Sequence, residues 1–388
     1  MKNINFALPD VGSLEIKNCL NALKSGWISK GDYVNLFEKK FAKILGSKYA
    51  VSVNNGTNAF LLILMHLKVK PGDEIIVPSF CYVSPIHMIK LLGAIPVVAD
   101  VDINTFQIDP KKIIKKISKK TKAILVIHNY GGLCDIVSIQ NIANRFRINI
   151  VEDFSETTFS QFNNKYIGSG FWQGKNFNLL SFSSMHATKT ITSGEGGVIT
   201  TNSLSNYENL CNLRDHGISN NKAYFYRQLG GNFRLSNILA AIAYAQVSRY
   251  KEIISKKKKI LIEYIKLFYN IKYLAIQKFN NTKYPKKTLS TILWGFAIRI
   301  KKYNRVKKII NGINKETIIA RPGFCSLHRL NYLKILKNKR NKKSDFKNSS
   351  ILEKSIIVLP AHIKLKSSQI KFIFKKINYL FYNQKINY

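Results

Sequence analysis

Between Lys48 and Asp153, short apolar runs alternate with segments of helical pattern, and this alternation limits the fold more than any other feature. Continuous Ile and Val runs joined by helices are typical of a parallel sheet covered on both faces. We therefore expect an α/β fold with a mostly parallel central sheet and helices on both faces. The predicted strands are Tyr49–Val53, Glu74–Val77, Pro96–Asp100, Ala123–His128, Asn149–Glu152, Phe177–Ser181 and Gly197–Thr201.

The pattern changes near Tyr250, where long segments rich in Lys, Ile and Tyr with few glycines begin. The chain has 388 residues, and a length of roughly 150 residues per domain predicts about two domains. We expect a large α/β domain at residues 1–250 and a smaller α+β domain at residues 251–388. Because no Pro/Gly-rich linker separates them, a helix should pass between the two.

The charge is unusual, with 62 Lys and Arg against 21 Asp and Glu and a net charge of +41. Such a charge favours an anionic partner. However, Lys is accompanied by abundant Ile and Asn, a composition that a coding bias produces without any selected partner. The basic residues are also spread along the chain rather than concentrated on one element. We therefore expect an anionic small-molecule substrate and no specific nucleic acid.

Cysteine and histidine spacing excludes the common metal and disulfide sites. The five cysteines are far apart and form no C-x-x-C pair, and no H-E-x-x-H motif is present. We expect no metal centre. The first nine residues have no apolar signal core, and no apolar stretch reaches the roughly 18 residues of a membrane span. The sequence thus predicts a protein of the reducing cytoplasm.

Three clusters carry possible chemistry. Asn54–Asn58 lies between a strand and a helix, where backbone N–H groups favour a phosphate, although a plain N-cap by Thr57 or Asn58 is the alternative. Asp153 ends an apolar strand, where ligands bind in open α/β sheets, or where it serves as a cap or ion-pair partner. Lys189 stands among small and hydroxyl residues before a Gly-rich turn. It is either an exposed turn lysine or an amine that bonds to an aldehyde.

The order of these clusters favours one cofactor. Pyridoxal phosphate (PLP) requires a phosphate cradle, a lysine that holds its aldehyde and an aspartate that keeps its pyridinium nitrogen protonated. A chain that presents the three in this arrangement is predicted to bind PLP.

At these residues the chain closely resembles the DegT/DnrJ/StrS family of sugar-nucleotide aminotransferases, which have the fold-type I PLP architecture. The likeness runs from Gly26–Gly31 to Leu359–His362. The shared landmarks between them are Asn55–Thr57, Pro71–Glu74, Pro78–Tyr82, Gly93–Pro96, Val151–Asp153, Ser184–Lys189, Gly194–Gly197, Leu213–Gly217 and Gly231–Arg234.

The resemblance implies roles for the cofactor site. Gly56, Thr57 and Ser184 would hold the phosphate, and Tyr82 would stack on the ring. Asn232 would reach the phosphate from the neighbouring subunit, which implies a homodimer with shared active sites.

The same resemblance makes Lys189 the residue that carries PLP and moves the proton, and Asp153 the partner of the pyridinium nitrogen. Glu156 is a departure, because the family often has Gln or His beside the phenolic oxygen. A carboxylate there would have to be protonated, turned away or paired.

Three further residues are assigned to the substrate side by the resemblance: Trp27, His186 and His328. For His328 a structural role is nearly as well supported.

The reaction follows from two positions. A branch of the family that removes a hydroxyl has His where this chain has Lys189, so amine transfer is favoured. The Gly194–Gly197 sequence resembles that of enzymes that aminate C4, including perosamine and viosamine synthases. The expected substrates are therefore a nucleotide-linked 4-keto-6-deoxyhexose and L-glutamate, in amino-sugar synthesis for surface polysaccharide such as O-antigen or for natural products. The alternatives are 3-keto amination, PLP-dependent dehydration and, remotely, a non-enzymatic nucleic-acid-binding protein.

Overall fold

The computed structural model describes residues 3–218, 224–279, 290–301, 306–315, 317–335 and 341–383. Its strands are β1 Tyr49–Val53, β2 Glu74–Pro78, β3 Ile95–Ala99, β4 Thr121–Ile127, β5 Asn149–Asp153, β6 Gln161–Phe162, β7 Lys165–Tyr166, β8 Leu179–Ser184, β9 Gly197–Thr201, β10 Leu274–Ile276, β11 Phe296–Ile300, β12 Arg321–Pro322 and β13 Ile356–Leu359.

The α-helices follow in chain order. They are α1 Ser13–Lys24, α2 Asp32–Leu45, α3 Gly56–His66, α4 Ser84–Leu91, α5 Pro110–Ile114, α6 Ile136–Phe146, α7 Leu204–Arg214, α8 Asn237–Ser248, α9 Tyr250–Phe268, α10 Val306–Lys315, α11 Lys347–Ser355 and α12 Ser367–Asn383.

Seven strands form the central sheet in the order β1-β9-β8-β5-β4-β2-β3. The pairs β2/β3, β2/β4, β4/β5 and β5/β8 are parallel, whereas β9 runs antiparallel to both β1 and β8. The predicted mostly parallel α/β sheet is confirmed. The main difference is β8, which runs from Leu179 to Ser184, whereas Phe177–Ser181 was predicted. The Asn149 side chain accepts the Asn178 N–H at 3.2 Å, just before the strand begins.

Successive residues of the central strands face two separate cores. Along β2, Ile75 and Val77 pack with α3, α4 and α7, whereas Ile76 packs with α2, α6 and α8. This two-residue period explains why the strands read as continuous apolar runs, since both faces of the sheet are covered. The arrangement leaves the carboxyl ends of β4 and β5 and the loop after β8 at one edge.

A second sheet has four antiparallel strands in the order β10-β11-β13-β12. Helices α9, α10 and α12 share one apolar core with it, and Tyr264 of α9 stacks on Phe296 with ring centroids 4.5 Å apart. The two sheets fall on either side of the predicted boundary after residue 250, which itself stays a prediction. Ile4 bridges to Ile318, so the N-terminal segment packs against the second sheet. Among the described helices, none has the length and apolar character to cross a bilayer.

Candidate active site

Lys189 lies in the loop between β8 and β9, at the edge where the central strands end. Its Nζ is 3.3 Å from Glu156 Oε1 and 4.8 Å from the centroid of the Trp294 ring. The Lys189 side chain is only 15% exposed, which separates it from the solvated lysines of the helices. The structure therefore rejects the exposed-turn alternative for this lysine.

Glu156 is paired on both oxygens. Its Oε2 accepts the backbone N–H of Tyr130 at 2.8 Å, and its Oε1 faces the Lys189 amine. Burial raises the pKa of Glu156, and the Lys189 charge partly opposes that rise. The sequence left three states open for this carboxylate: protonated, turned away or paired. The structure has the paired state.

Asp153 ends β5 and is half-buried near the same lysine. Its Oδ1 accepts the Ser155 N–H at 2.9 Å. Burial raises the pKa of Asp153, while hydrogen bonds from Ser155 and the charge of Lys189 lower it. The desolvation of this carboxylate outweighs the hydrogen bonds and cations around it, so a cationic ring nitrogen would stabilise its charged form. This environment fits a protonated pyridinium.

The phosphate cradle is built by close backbone approach. The Asn55 side chain caps α3 by accepting the Asn58 N–H at 2.8 Å, so the cap is neither of the two residues expected from the sequence. A Cβ on Gly56 would lie 2.8 Å from Ser184 Cβ, and one on Gly197 would lie 2.5 Å from the Asn55 carbonyl oxygen. Only glycine therefore lets the start of α3 approach the end of β8.

Hydroxyl groups complete this cradle. Thr57 Oγ1 donates to Ser84 Oγ at 3.1 Å, and the Ser184 N–H donates to Ser155 Oγ at 2.8 Å. Since Ser155 also donates its N–H to Asp153, one series of hydrogen bonds joins Ser184 to the Asp153 carboxylate. Backbone N–H groups at the N-terminus of a helix and nearby hydroxyls are the donors that a phosphate requires. The residues present fit the phosphate, the ring nitrogen and the aldehyde of PLP.

A buried hydrogen-bond network centred on Glu152 lies behind Asp153, and no sequence pattern predicted it. Glu152 accepts hydrogen bonds from Trp172 Nε1 at 2.9 Å and Ser181 Oγ at 2.6 Å, and from the Gly168 N–H. His128 Nδ1 accepts the Cys134 N–H, so its Nε2–H donates to Glu152 at 3.2 Å. These four donors come from three separate segments, so no local pattern could indicate them.

Two aromatic residues that no sequence pattern indicated, Trp294 and Tyr130, pack beside the Lys189 amine. Trp294 lies over the Lys189 amine, and Tyr130 stacks between Trp294 and Phe324, with the Tyr130 and Phe324 centroids 4.8 Å apart. Tyr82 is exposed, with its ring 6.4 Å from that of Phe324. The proposed stacking of Tyr82 on the cofactor stays a prediction.

The residues assigned to substrate or to the neighbouring subunit are dispersed within one chain. His186 is exposed, with Nε2 3.7 Å from Glu195 Oε1. His328 is buried, stacks on Phe346 and lies 3.2 Å from Ser350 Oγ, and burial lowers its pKa. Its surroundings are those of a packing residue.

Trp27 lines a cavity of about 600 Å³ together with Lys30 and Arg234, whereas Lys189 lines a different and narrower one. Asn232 is exposed beside Asp215. In the part of the chain that the structure describes, no hydrogen bond joins the Asn232 side chain to the phosphate cradle. One chain therefore assembles the lysine, the two carboxylates and the cradle, but not these outer residues.

Comparison with known proteins agrees with this site. The model of the "DegT/DnrJ/EryC1/StrS aminotransferase family" matches residues 9–378. A GDP-perosamine synthase of Escherichia coli O157:H7 is 33% identical over 331 residues, covering 85% of this chain and 87% of that protein. A dTDP-3-amino-3,6-dideoxy-alpha-D-galactopyranose transaminase of Aneurinibacillus thermoaerophilus is 34% identical over 310 residues, covering 79% and 81%.

The fold is similar to that of a solved enzyme that binds the expected cofactor. The structure of E. coli GDP-4-keto-6-deoxy-D-mannose-3-dehydratase with bound hydrated PLP superposes with a TM-score of 0.84 at 27% identity, covering 97% of this chain and 100% of that one.

Proposed function

The chain belongs to the DegT/DnrJ/EryC1/StrS aminotransferase family and its cofactor is PLP; from this premise we propose that it transfers an amino group from L-glutamate to a nucleotide-linked 4-keto-6-deoxyhexose. The observation that carries the proposal is the Lys189 amine, which is largely buried, lies 3.3 Å from Glu156 and is close to Asp153. Bound PLP supplies an electron sink for carbon–hydrogen bond cleavage.

Residues of the chain carry out the proton transfers and hold the cofactor in place. Lys189 Nζ takes the proton from the donor α-carbon and later delivers a proton to the sugar carbon. Glu156 orients that amine between the two transfers, and Trp294 covers it against water. Asp153 holds the ring nitrogen in its charged form. Gly56 and Thr57 bind the phosphate through the N-terminus of α3.

Amination at C4 is supported by the Gly194–Gly197 sequence and by the perosamine synthase relative. The solved dehydratase is named for a GDP-4-keto-6-deoxy sugar, which is the class of substrate proposed here. Amination at C3 is the second candidate, since the transaminase relative is named for a 3-amino product. Lys189 argues against dehydration.

The active unit in this proposal is a homodimer in which Asn232 completes the partner's phosphate site. Helix α1 supports a partner surface, because its apolar residues Ile16, Leu20 and Leu23 are each about half exposed in the single chain. The compartment proposed is the cytoplasm, in keeping with five cysteines that are all free thiols.

An absorbance spectrum of the PLP-loaded protein, followed by product analysis, tests the reaction. L-glutamate should convert the band of the lysine-bound cofactor to that of the amine form, and Lys189→Ala should lack the lysine-bound band. The matched control is Lys175→Ala, an exposed turn lysine. A GDP-linked 4-keto-6-deoxyhexose should then yield a nitrogen at C4, located by NMR. A nitrogen at C3, or loss of a hydroxyl, would contradict the proposed regiochemistry, and no cofactor band would contradict the reaction itself.

A further inference from the structure

The positive charge of the chain is distributed very unevenly between its two halves. Residues 251–388 hold 34 Lys and Arg against 5 Asp and Glu, a net charge of +29. Residues 1–250 hold 28 against 16, a net charge of only +12. A coding bias acts on the whole gene, so it accounts for the overall lysine content but not for this asymmetry.

Within the C-terminal half, three helices form one layer whose outer surface is basic. Helix α12 packs between α9 and α10, and all three bury their apolar residues in the core of the second sheet. Together they contain twelve lysines and two acidic residues, Glu252 and Glu263. The outer surface of this layer is defined here as the basic face. Its exposed residues include Lys256, Lys259, Ile262, Lys266, Lys307, Lys308, Lys315, Lys371, Lys375, Tyr379 and Tyr382.

Helix α12 shows how the sequence produces this face. Ile370, Ile373, Ile377 and Phe381 are buried in the core. The opposite stripe, at the helical spacing of four, four and three residues, is Lys371, Lys375, Tyr379 and Tyr382, all exposed. Tyr379 and Tyr382 are 58% and 60% exposed. Lysine and tyrosine thus share the solvent stripe of a helix whose inner stripe is aliphatic.

Helix α9 repeats this mixture. Its exposed stripe carries Lys259 and Lys266 on either side of Ile262, and the stripe continues into Tyr269 just beyond the helix. Ile262 is 41% and Tyr269 is 50% exposed. Lysines interleaved with tyrosine and isoleucine on the exposed side of a helical layer are the side chains that anionic headgroups and the interfacial zone of a bilayer accommodate.

We propose that the basic face binds peripherally to the surface of a bilayer that carries anionic phospholipids. The attraction comes from lysine ammonium groups near headgroup phosphates, and the exposed tyrosines enter the interfacial zone. A nucleic acid is less well matched, because only 5 of the 34 basic residues in this half are arginine, the side chain that reads phosphate and base edges bidentately.

Vesicle co-sedimentation of the full-length, PLP-loaded protein tests this surface. Vesicles with about 30% phosphatidylglycerol in phosphatidylcholine should retain the protein at about 0.15 M salt, and pure phosphatidylcholine vesicles should not. The combined substitution Lys259→Glu, Lys371→Glu and Lys375→Glu should weaken binding by roughly 100-fold. The matched control, Lys111→Glu, Lys115→Glu and Lys119→Glu, makes the same charge change on exposed residues of the large domain and should alter binding by less than about 3-fold.

A double variant at two tyrosines distinguishes binding to a bilayer from binding to any polyanion. Tyr379→Ser with Tyr382→Ser leaves the charge unchanged and should weaken vesicle binding several-fold while leaving binding to heparin unaltered. Both sets of variants should keep the PLP absorbance band and the transaminase rate in solution, which shows that they are folded. Equal losses in the two lysine variants, equal binding to neutral vesicles, or tighter binding to duplex DNA than to anionic vesicles at the same salt would each overturn the proposal.

Discussion

At the residue scale, the site holds more buried negative charge than it has cations to neutralise. Glu156 is buried and Asp153 is half-buried, desolvation raises the pKa of both, and Lys189 is the cation common to both. In a protein without cofactor this arrangement costs stability, because an under-compensated carboxylate in the interior is unfavourable. The same feature makes the site complementary to a cationic ring. The excess negative charge should therefore strengthen cofactor binding and weaken folding.

Asp153→Asn should reveal this opposition. We expect the apoprotein to gain roughly 1 kcal/mol in its free energy of unfolding at pH 8, because the buried charge is removed while Oδ1 can still accept the Ser155 N–H. A carboxyl whose folded pKa is raised binds more protons folded than unfolded, so its destabilising effect is present above that pKa and fades as the pH falls through it. The advantage of the variant, measured by urea denaturation, should thus shrink as the pH falls toward the ordinary aspartate pKa of about 3.9.

The exposed Asp135→Asn serves as the control for this experiment, and its unfolding free energy relative to wild type should not depend on pH in this way. With PLP added, Asp153→Asn should transaminate far more slowly than wild type. An apoprotein variant that is less stable than wild type at every pH would contradict this account of the site.

At the element scale, Glu38 joins α2 to the strand that leads into the phosphate cradle. Its Oε1 accepts the Ser52 N–H and the Ser52 hydroxyl, each at 2.7 Å, and lies 2.5 Å from Arg214 Nη1 of α7. One buried carboxylate therefore fixes α2, β1 and α7 relative to one another. Arg214 Nη1 also donates to the Ser52 carbonyl oxygen at 3.0 Å, so the guanidinium contacts both β1 and the Glu38 carboxylate.

Glu38→Ala should lower the free energy of unfolding by about 3 kcal/mol, because it leaves the Arg214 guanidinium and the Ser52 N–H buried without their acceptor. Chemical denaturation of the apoprotein measures the change. Glu208→Ala, an exposed position on α7, should stay within about 0.5 kcal/mol of wild type. A loss of similar size in the two variants would show that the Glu38 contact is not what holds these elements.

Helix α9 is tied to the second sheet by a buried lysine. Lys257 Nζ donates to the carbonyl oxygens of Leu293 at 2.9 Å and Ala361 at 2.8 Å, and burial lowers the pKa of Lys257 to about 7. In the unfolded chain this amine keeps its proton up to a pH of roughly 10.4. Between these two values the unfolded state binds more protons, so the contribution of Lys257 to stability rises with pH.

Lys257→Met should therefore diverge from wild type as the pH rises. From about pH 7 to about pH 10, wild type should gain up to about 1.4 kcal/mol of unfolding free energy per pH unit relative to the variant. Lys259→Met, exposed on the same helix, should run parallel to wild type across that window. Parallel curves for Lys257→Met as well would mean that the amine stays charged when buried.

Much of the element scale could be predicted from the sequence, since runs such as Tyr49–Val53 and Gly197–Thr201 match the strands residue for residue. Such strands are buried on both faces, so the local apolar run is itself the signal. The Asn55 cap was missed because three polar candidates adjoin it, and only backbone geometry selects one. The hydrogen bonds of Glu152 come from segments 16 to 29 residues away, and a single sequence cannot pair such distant donors with one carboxylate.

At the scale of the whole molecule, one chain brings together Lys189, Asp153, Glu156 and the predicted phosphate cradle, whereas Asn232 lies apart from them. Asn232 lies on the surface, and its neighbour Phe233 accepts the Asn54 N–H through its carbonyl at 2.9 Å. That bond places the Gly231–Arg234 segment at the outer side of the strand entering the cradle. An exposed residue at that place can serve a second copy of the chain, which is what a closed two-fold arrangement would require.

Subunit mixing measures whether the site is shared. Lys189→Ala and Asn232→Glu should each be inactive alone, the second because its carboxylate repels the cofactor phosphate. If Asn232 serves the partner's site, each mixed dimer has one site with both native residues, and equal mixing should restore about a quarter of wild-type activity. Lys189→Ala mixed with Asp153→Asn should restore none, because these two residues belong to the same chain's half of the site. The absence of recovery in both mixtures, with subunit exchange verified by mass spectrometry, would place Asn232 outside the partner's site.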